Sequence, residues 1–143
     1  MTPAADASKK TGAVVVIADD DVDTLNIVKV KFEAHGLTVV TVRDGQAALA
    51  AVRQHKPSLV ILDVMMPRLN GFQVARMIKF DKHTKPTPVI LLTARTQQAD
   101  KDLGRQVGAE EYITKPFDPQ QLLDRVNYWL THKDETSAAA ERS

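Results

Sequence analysis

Two short runs, "VVVIA" at Val14–Ala18 and "LVIL" at Leu59–Leu62, carry no polar side chain. A strand with one wet face alternates apolar and polar residues, so runs without alternation belong to strands covered on both sides. Further β-branched runs lie at Thr38–Val42 and Val89–Thr93, with a weaker one at Tyr112–Thr114. The run at Thr38–Val42 alternates more and reads as nearer an edge. Segments of helical spacing separate the runs. Strand and helix in regular alternation predict a parallel sheet with helices on both faces. In such open sheets ligands bind beyond the carboxyl ends of the strands, where strand order reverses.

The first predicted helix starts near Asp21–Val22, shows Val22, Leu25, Val28 and Phe32 on one face, and stops at Gly36. Ala47, Ala48, Ala51 and Val52 mark the second, ended near Pro57. Phe72, Ala75 and Ile78 mark the third, with Met77 as a further candidate. The fourth, Gln97–Val107, has only Ala99, Leu103 and Val107 as its stripe and is interrupted by Gly104. The last opens "DPQQLL": Asp118 suits the cap, Pro119 the first helical position and Gln121 a capping box. Leu122, Val126 and Trp129 form its buried stripe.

Residues 1–11 and 133–143 are small, polar or charged and lack apolar periodicity, which predicts disordered tails around one domain at 12–132. With 19 Lys and Arg against 18 Asp and Glu, the net charge of +1 gives no footprint for nucleic acid or membrane. The absence of cysteine removes disulfides, thiolate metal sites and thiol nucleophiles. No apolar run reaches the roughly 20 residues that span a bilayer, and the first residues lack the apolar core of a secretory signal. A cytoplasmic location is expected.

Polar residues follow the apolar runs in a consistent way. Asp19 and Asp20 follow the first, Asp63 ends the third, Thr93 the fourth, and Lys115 follows the fifth. If the first and third strands are neighbours, three carboxylates converge. Alone they would repel and raise one another's pKa values. A hard divalent cation relieves this, and Mg²⁺ takes carboxylate, water and phosphate oxygens. These motifs contain no histidine, which disfavours zinc. A cation, a lysine and a hydroxyl around one carboxylate suit phosphoryl transfer, with Asp63 as nucleophile. Asp21 has a simpler use as the cap of the first helix.

The segments "VVVIADDD", "LVILDVMMPRLNGF", "VILLTA" and "GAEEYITKPFDPQQLL" together resemble the receiver domain of bacterial two-component response regulators, over about Ala13–Thr131. The resemblance implies a flavodoxin-like, doubly wound, five-stranded sheet of order 2-1-3-4-5. It implies Asp63 as phosphoacceptor, Lys115 as phosphoryl-binding lysine, and Asp20 as direct Mg²⁺ ligand, with Asp19 acting largely through water. Asp63 and the backbone carbonyl of Met65 complete the protein's share of the metal shell, and Mn²⁺ is the substitute ion. Thr93 and Tyr112 are the switch pair, and Lys115 and Pro116 flank a cis peptide bond. Gly71 in "PRLNG" is expected to allow a backbone shape closed to other residues. The phosphodonor implied is a sensor histidine kinase or histidine phosphotransfer protein. Phosphorylation then alters the face built from the fourth helix, fifth strand and fifth helix, and with it a downstream protein target or a homodimer. Such a chain catalyses only its own phosphorylation and dephosphorylation. Met65 and Arg95, two residues after Asp63 and Thr93, flank the approach of hydrolytic water, and their bulk predicts a phospho-form lasting many minutes.

Rival readings exist. "DVDTL", Asp21–Leu25, resembles the nucleophile loop of haloacid dehalogenase phosphatases, but that reading leaves Asp63 and "TKPF" without a role. A degenerate receiver is disfavoured by the full set of site residues. Flavin binding is disfavoured by the acidic first turn. Arg76, Lys79, Lys82, His83 and Lys85 read as a solvated face rather than a nucleic-acid surface. A stand-alone receiver and a fragment of a longer DNA-binding regulator both fit.

Overall fold

The computed structural model describes residues 12–94 and 107–142, with side chains described through His132. β1 (Val14–Ala18), β2 (Thr38–Val42), β3 (Leu59–Asp63), β4 (Val89–Ala94) and β5 (Glu111–Lys115) form one sheet of order β2-β1-β3-β4-β5. All four pairings are parallel, with Ile17 opposite Ile61 and Asp63 opposite Leu92. The helices described are α1 (Val22–Glu33), α2 (Gly45–His55), α3 (Gly71–Phe80) and α4 (Pro119–Arg142). The fold is the flavodoxin-like doubly wound sheet. The order reverses between β1 and β3, so their carboxyl ends flank a crevice.

Alternation along the strands builds two cores. Val16, Ala18, Val60, Leu62 and Leu91 pack with Ala48, Val52, Phe72, Val74 and Ile78 of α2 and α3. Val15, Ile17, Leu59, Ile61 and Leu92 pack with Leu25, Val28 and Phe32 of α1 and Leu122 and Val126 of α4. β1 and β3 feed both cores, which is why neither run alternates. Val107, at the end of the fourth helix expected from sequence, packs in the first core; the rest of that segment, with Arg95, lies outside the described residues.

Four details differ from the sequence reading. Val22 is exposed: the buried face of α1 begins at Leu25 and continues through Val28 and Phe32. Met77 is exposed and Val74 takes the inner place: Met77 stands about 200° around the helix from Ala75, whereas Val74 lies one turn before Ile78. The capping box sits on α3, where Asn70 and Gln73 exchange bonds of 2.9 Å, while Asp118 accepts from the Gln120 amide and Gln121 is exposed. α4 runs on past residue 132 to Arg142, beyond the last residue with apolar periodicity. The "AAAER" segment consists of strong helix formers, so an anchored helix can propagate through it.

Lys79 does not belong to a solvated face. Its Nζ donates to Lys85 O (3.0 Å), Thr87 O (2.7 Å) and Glu110 Oε2 (2.7 Å). Glu110 Oε1 accepts from the Val89 amide at 2.8 Å. This clasp ties the end of α3 to the starts of β4 and β5. Arg76, Lys82, His83 and Lys85 are exposed as expected.

Candidate functional site

The carboxyl ends of β1 and β3 bring Asp19, Asp20 and Asp63 together, each offering an oxygen within 4.8 Å of the others. Asp19 is fully buried and Asp63 nearly so, whereas Asp20 is exposed. Lys115, at the end of β5, reaches across and donates to Asp19 Oδ2 (3.0 Å) and Asp63 Oδ2 (3.4 Å). Asp19 Oδ1 accepts from the Asp21 amide (2.9 Å), and Asp63 Oδ1 from the Met65 amide (3.1 Å). The direct Lys115–Asp19 pair is not readable from the sequence, because the two residues lie far apart in the chain and meet only through strand order.

The electrostatics follow the geometry. Burial, then the charge of Asp19, pushes the Asp63 carboxyl up to about 6, against partial relief from the Met65 amide and Lys115. Burial works against the Lys115 ammonium, but its hydrogen bond to Asp19 and the charges of Asp63 and Asp19 outweigh that and hold its pKa above the usual value. Asp21 stands apart as the N-cap of α1. It accepts from the Asp23 amide and from Thr24 Oγ1 (2.7 Å), and the Thr24 bond keeps its pKa low.

Thr93 is buried next to the end of β4, one residue beyond the Asp63–Leu92 pair. By strand alternation it shares a sheet face with Leu91, the β5 partner of which is Tyr112. Tyr112 packs half-buried against the core beneath α2 and α3. The Lys115–Pro116 peptide bond is cis.

The loop after Asp63 is held tightly. Gly71 is not in the left-handed region; it is glycine because a Cβ there would lie 2.5 Å from Asp63 O and 3.0 Å from Val64 Cα. The sequence reading assigned it a special backbone shape, whereas the cause is this close approach. Arg68 is the loop residue with positive φ, +71°.

The donor set fits a hard cation. All three candidate ligands are carboxylate oxygens, and the spacing of roughly 3 to 4 Å between oxygens about 2.1 Å from Mg²⁺ falls within the 4.8 Å that separates them. From the crevice an apolar groove runs outward between α1 and the start of α4, past Lys115, Pro116, Ile27, Val30 and Pro119.

A family model of the response regulator receiver domain matches residues 15–127. The chain belongs to this family. The receiver is 38% identical over 113 residues to the protein PilH of Pseudomonas aeruginosa, covering 79% of this chain and 93% of PilH. It is 36% identical over 124 residues to the DNA-binding response regulator MtrA of Mycolicibacterium paratuberculosis, covering 87% of this chain and 54% of MtrA. The chain therefore spans about half the length of several curated relatives it matches. Among solved structures, the chemotaxis response regulator CheY4 of Vibrio cholerae superposes with a TM-score of 0.78 at 32% identity, over 82% of this receiver and 98% of CheY4. Receiver domains are signalling phosphoacceptors rather than turnover enzymes. Among the described residues of this one, no helix is long and apolar enough to cross a membrane.

Proposed function

We propose that this receiver accepts a phosphoryl group from a histidine kinase or histidine phosphotransfer protein onto Asp63. The observation that carries the reading is the cluster of Asp19, Asp20 and Asp63, with Lys115 bonded to both buried carboxylates. An Asp63 oxygen attacks phosphorus, the P–N bond to the donor imidazole breaks, and its electron pair returns to the ring, which takes up a proton. In this reading Lys115 would hold an equatorial phosphoryl oxygen, and Thr93 would hydrogen-bond another. Asp19, Asp20, Asp63 and the Met65 carbonyl would hold Mg²⁺, or Mn²⁺ in its place. When bound, the cation neutralises charge on the transferring group.

Switching follows in this reading from Thr93 moving toward the phosphoryl oxygen and Tyr112 turning into the space it leaves. The output face then includes β5 and α4, which Glu111 already ties together by accepting from Arg125 Nε (2.8 Å) and Trp129 Nε1 (2.6 Å). A protein target or a second copy reads that face. Met65, 70% exposed beside the site, would shield the phospho-form from water together with Arg95 and give it a lifetime of many minutes.

The working domain is 12–132, the setting is cytoplasmic, and the chain itself contacts neither nucleic acid nor membrane. The 93% coverage of PilH favours a stand-alone receiver. The 54% coverage of MtrA favours the second reading, a receiver that gates a DNA-binding neighbour in a longer protein. The reading frame downstream decides between them.

The chemistry is tested by intact mass after incubation with Mg²⁺ and acetyl phosphate. One phosphoryl adduct is expected, absent in Asp63→Asn and suppressed by chelator. An adduct that survives Asp63→Asn sinks the assignment, and steady turnover of a generic phosphomonoester would favour the phosphatase reading.

A further inference from the structure

The path of residues 64–70, between β3 and α3, is set by close backbone contacts on two sides. At the strand, the Gly71 amide donates to Val64 O at 3.2 Å, and Gly71 itself lies against the Asp63 backbone. At the other side, the loop rests on the first residue of α2. A Cβ on Gly45 would run into Leu69 O and lie 2.6 Å from the Leu69 carbonyl carbon. Backbone fills that space, so no rotamer change relieves it. Gly45 cannot easily retreat. Asp44 caps α2 by accepting from the Ala47 amide at 2.8 Å, and its carbonyl accepts from Ala48 N at 3.0 Å. Beyond Leu69, Asn70 is pinned by the capping box of α3. Any group added at position 45 must therefore displace the loop.

We infer that Gly45 is a positioning residue of the phosphoacceptor site: its missing side chain lets the loop seat on α2, and that seat fixes Met65. Met65 acts at the site twice. Its amide holds Asp63 Oδ1 at 3.1 Å, and its carbonyl is the metal ligand of the function proposed above, on which this inference rests. Restoring ordinary contact around a Cβ at position 45 requires a shift of more than about 1 Å. A metal site accepts roughly 0.2 Å. The loop therefore cannot absorb the change without moving Met65 out of place, although Gly45 touches no ligand.

The experiment titrates Mg²⁺ alone into ¹⁵N-labelled protein and follows the Met65 amide. Gly45→Ala is expected to shift the Met65 resonance before any metal is added and to weaken Mg²⁺ binding roughly tenfold. Gly108→Ala is the control. Its φ is +86°, and the Cβ would meet only Lys79 side-chain carbons at 3.6 Å and beyond, so it strains the fold without touching the loop. It should lower the melting temperature and leave Mg²⁺ affinity at the wild-type value. If Gly45→Ala does not fold, Leu69→Gly loosens the same seat from the loop side and should shift Met65 and weaken Mg²⁺ binding. Wild-type affinity with an unmoved Met65 resonance, in Gly45→Ala or in Leu69→Gly standing in for it, overturns the inference. If wild-type protein itself binds no Mg²⁺, the metal reading fails, and the Met65 resonance alone then judges the role of Gly45: shifted supports it, unmoved overturns it.

Discussion

Asp63 is a carboxylate held where its charge is unwelcome. In the unfolded chain it titrates near 3.8, and in the metal-free fold near 6, first through burial and then through Asp19. Between those values the native state holds more protons than the unfolded one, so stability falls as pH rises. The contribution is complete below 3.8 and is lost as pH climbs through about 6. Asp63→Asn removes the charge and keeps the shape. With chelator present it should be more stable than wild type by on the order of 1 kcal/mol at about pH 7.5, and the gap should close toward about pH 4. Urea melts of both proteins across that range read the difference directly; a pH-independent gap would contradict the coupling. A cation held between Asp63 and Asp19 would relieve the same repulsion and be bound with that much more preference.

At the scale of elements, two connections carry energy that can be measured. Lys56 caps α2 in the left-handed region at φ +47°, where a Cβ costs about 1 kcal/mol or more. Lys56→Gly should therefore stabilise the protein by about 0.5 to 1 kcal/mol in chemical denaturation, part of the gain being offset by the freer unfolded chain. Lys79→Ala acts in the opposite direction. It strips Lys85 O, Thr87 O and the half-buried Glu110 of their shared cation. A cost of about 2 to 4 kcal/mol is expected, and Lys79→Ala with Glu110→Gln should recover part of it. Recovery in that double variant would show that the stranded carboxylate, rather than lost packing, is the cause. Helical spacing identified which element carries Lys79. It could not show that the α3–β4 loop folds back over that residue, so a buried cation read as a surface one.

For the whole molecule, the crevice and the groove beside it form one surface. Ile27 and Val30 are 54% and 70% exposed on α1, next to Pro119 and a short way from Lys115. A small phosphodonor needs only the crevice, whereas a protein donor must also rest on its rim. Ile27→Asp or Val30→Asp should slow phosphoryl transfer from a phosphohistidine protein about tenfold or more, while labelling by acetyl phosphate stays unchanged. Equal loss with both donors would place the defect in the site itself.

How far the sequence could be read divides along physical lines. Apolar runs and their spacing are one-dimensional signals, and from them came five parallel strands, helices on both faces, and Asp19, Asp20, Asp63, Thr93 and Lys115 at strand ends. The buried faces of α1 and α3 were only partly legible. Periodicity marks a stripe, but it does not show that the buried face of α1 begins only at Leu25, leaving Val22 outside, or that Val74 rather than Met77 completes the inner face of α3. Close approaches left no periodic trace at all. That Lys115 pairs with Asp19 across the sheet, that Lys79 is clasped, and that Gly71 and Gly45 are glycine because backbone occupies the place of a Cβ were decided by tertiary structure alone. Chain separation is irrelevant to a contact, and only the folded path brings such atoms within reach.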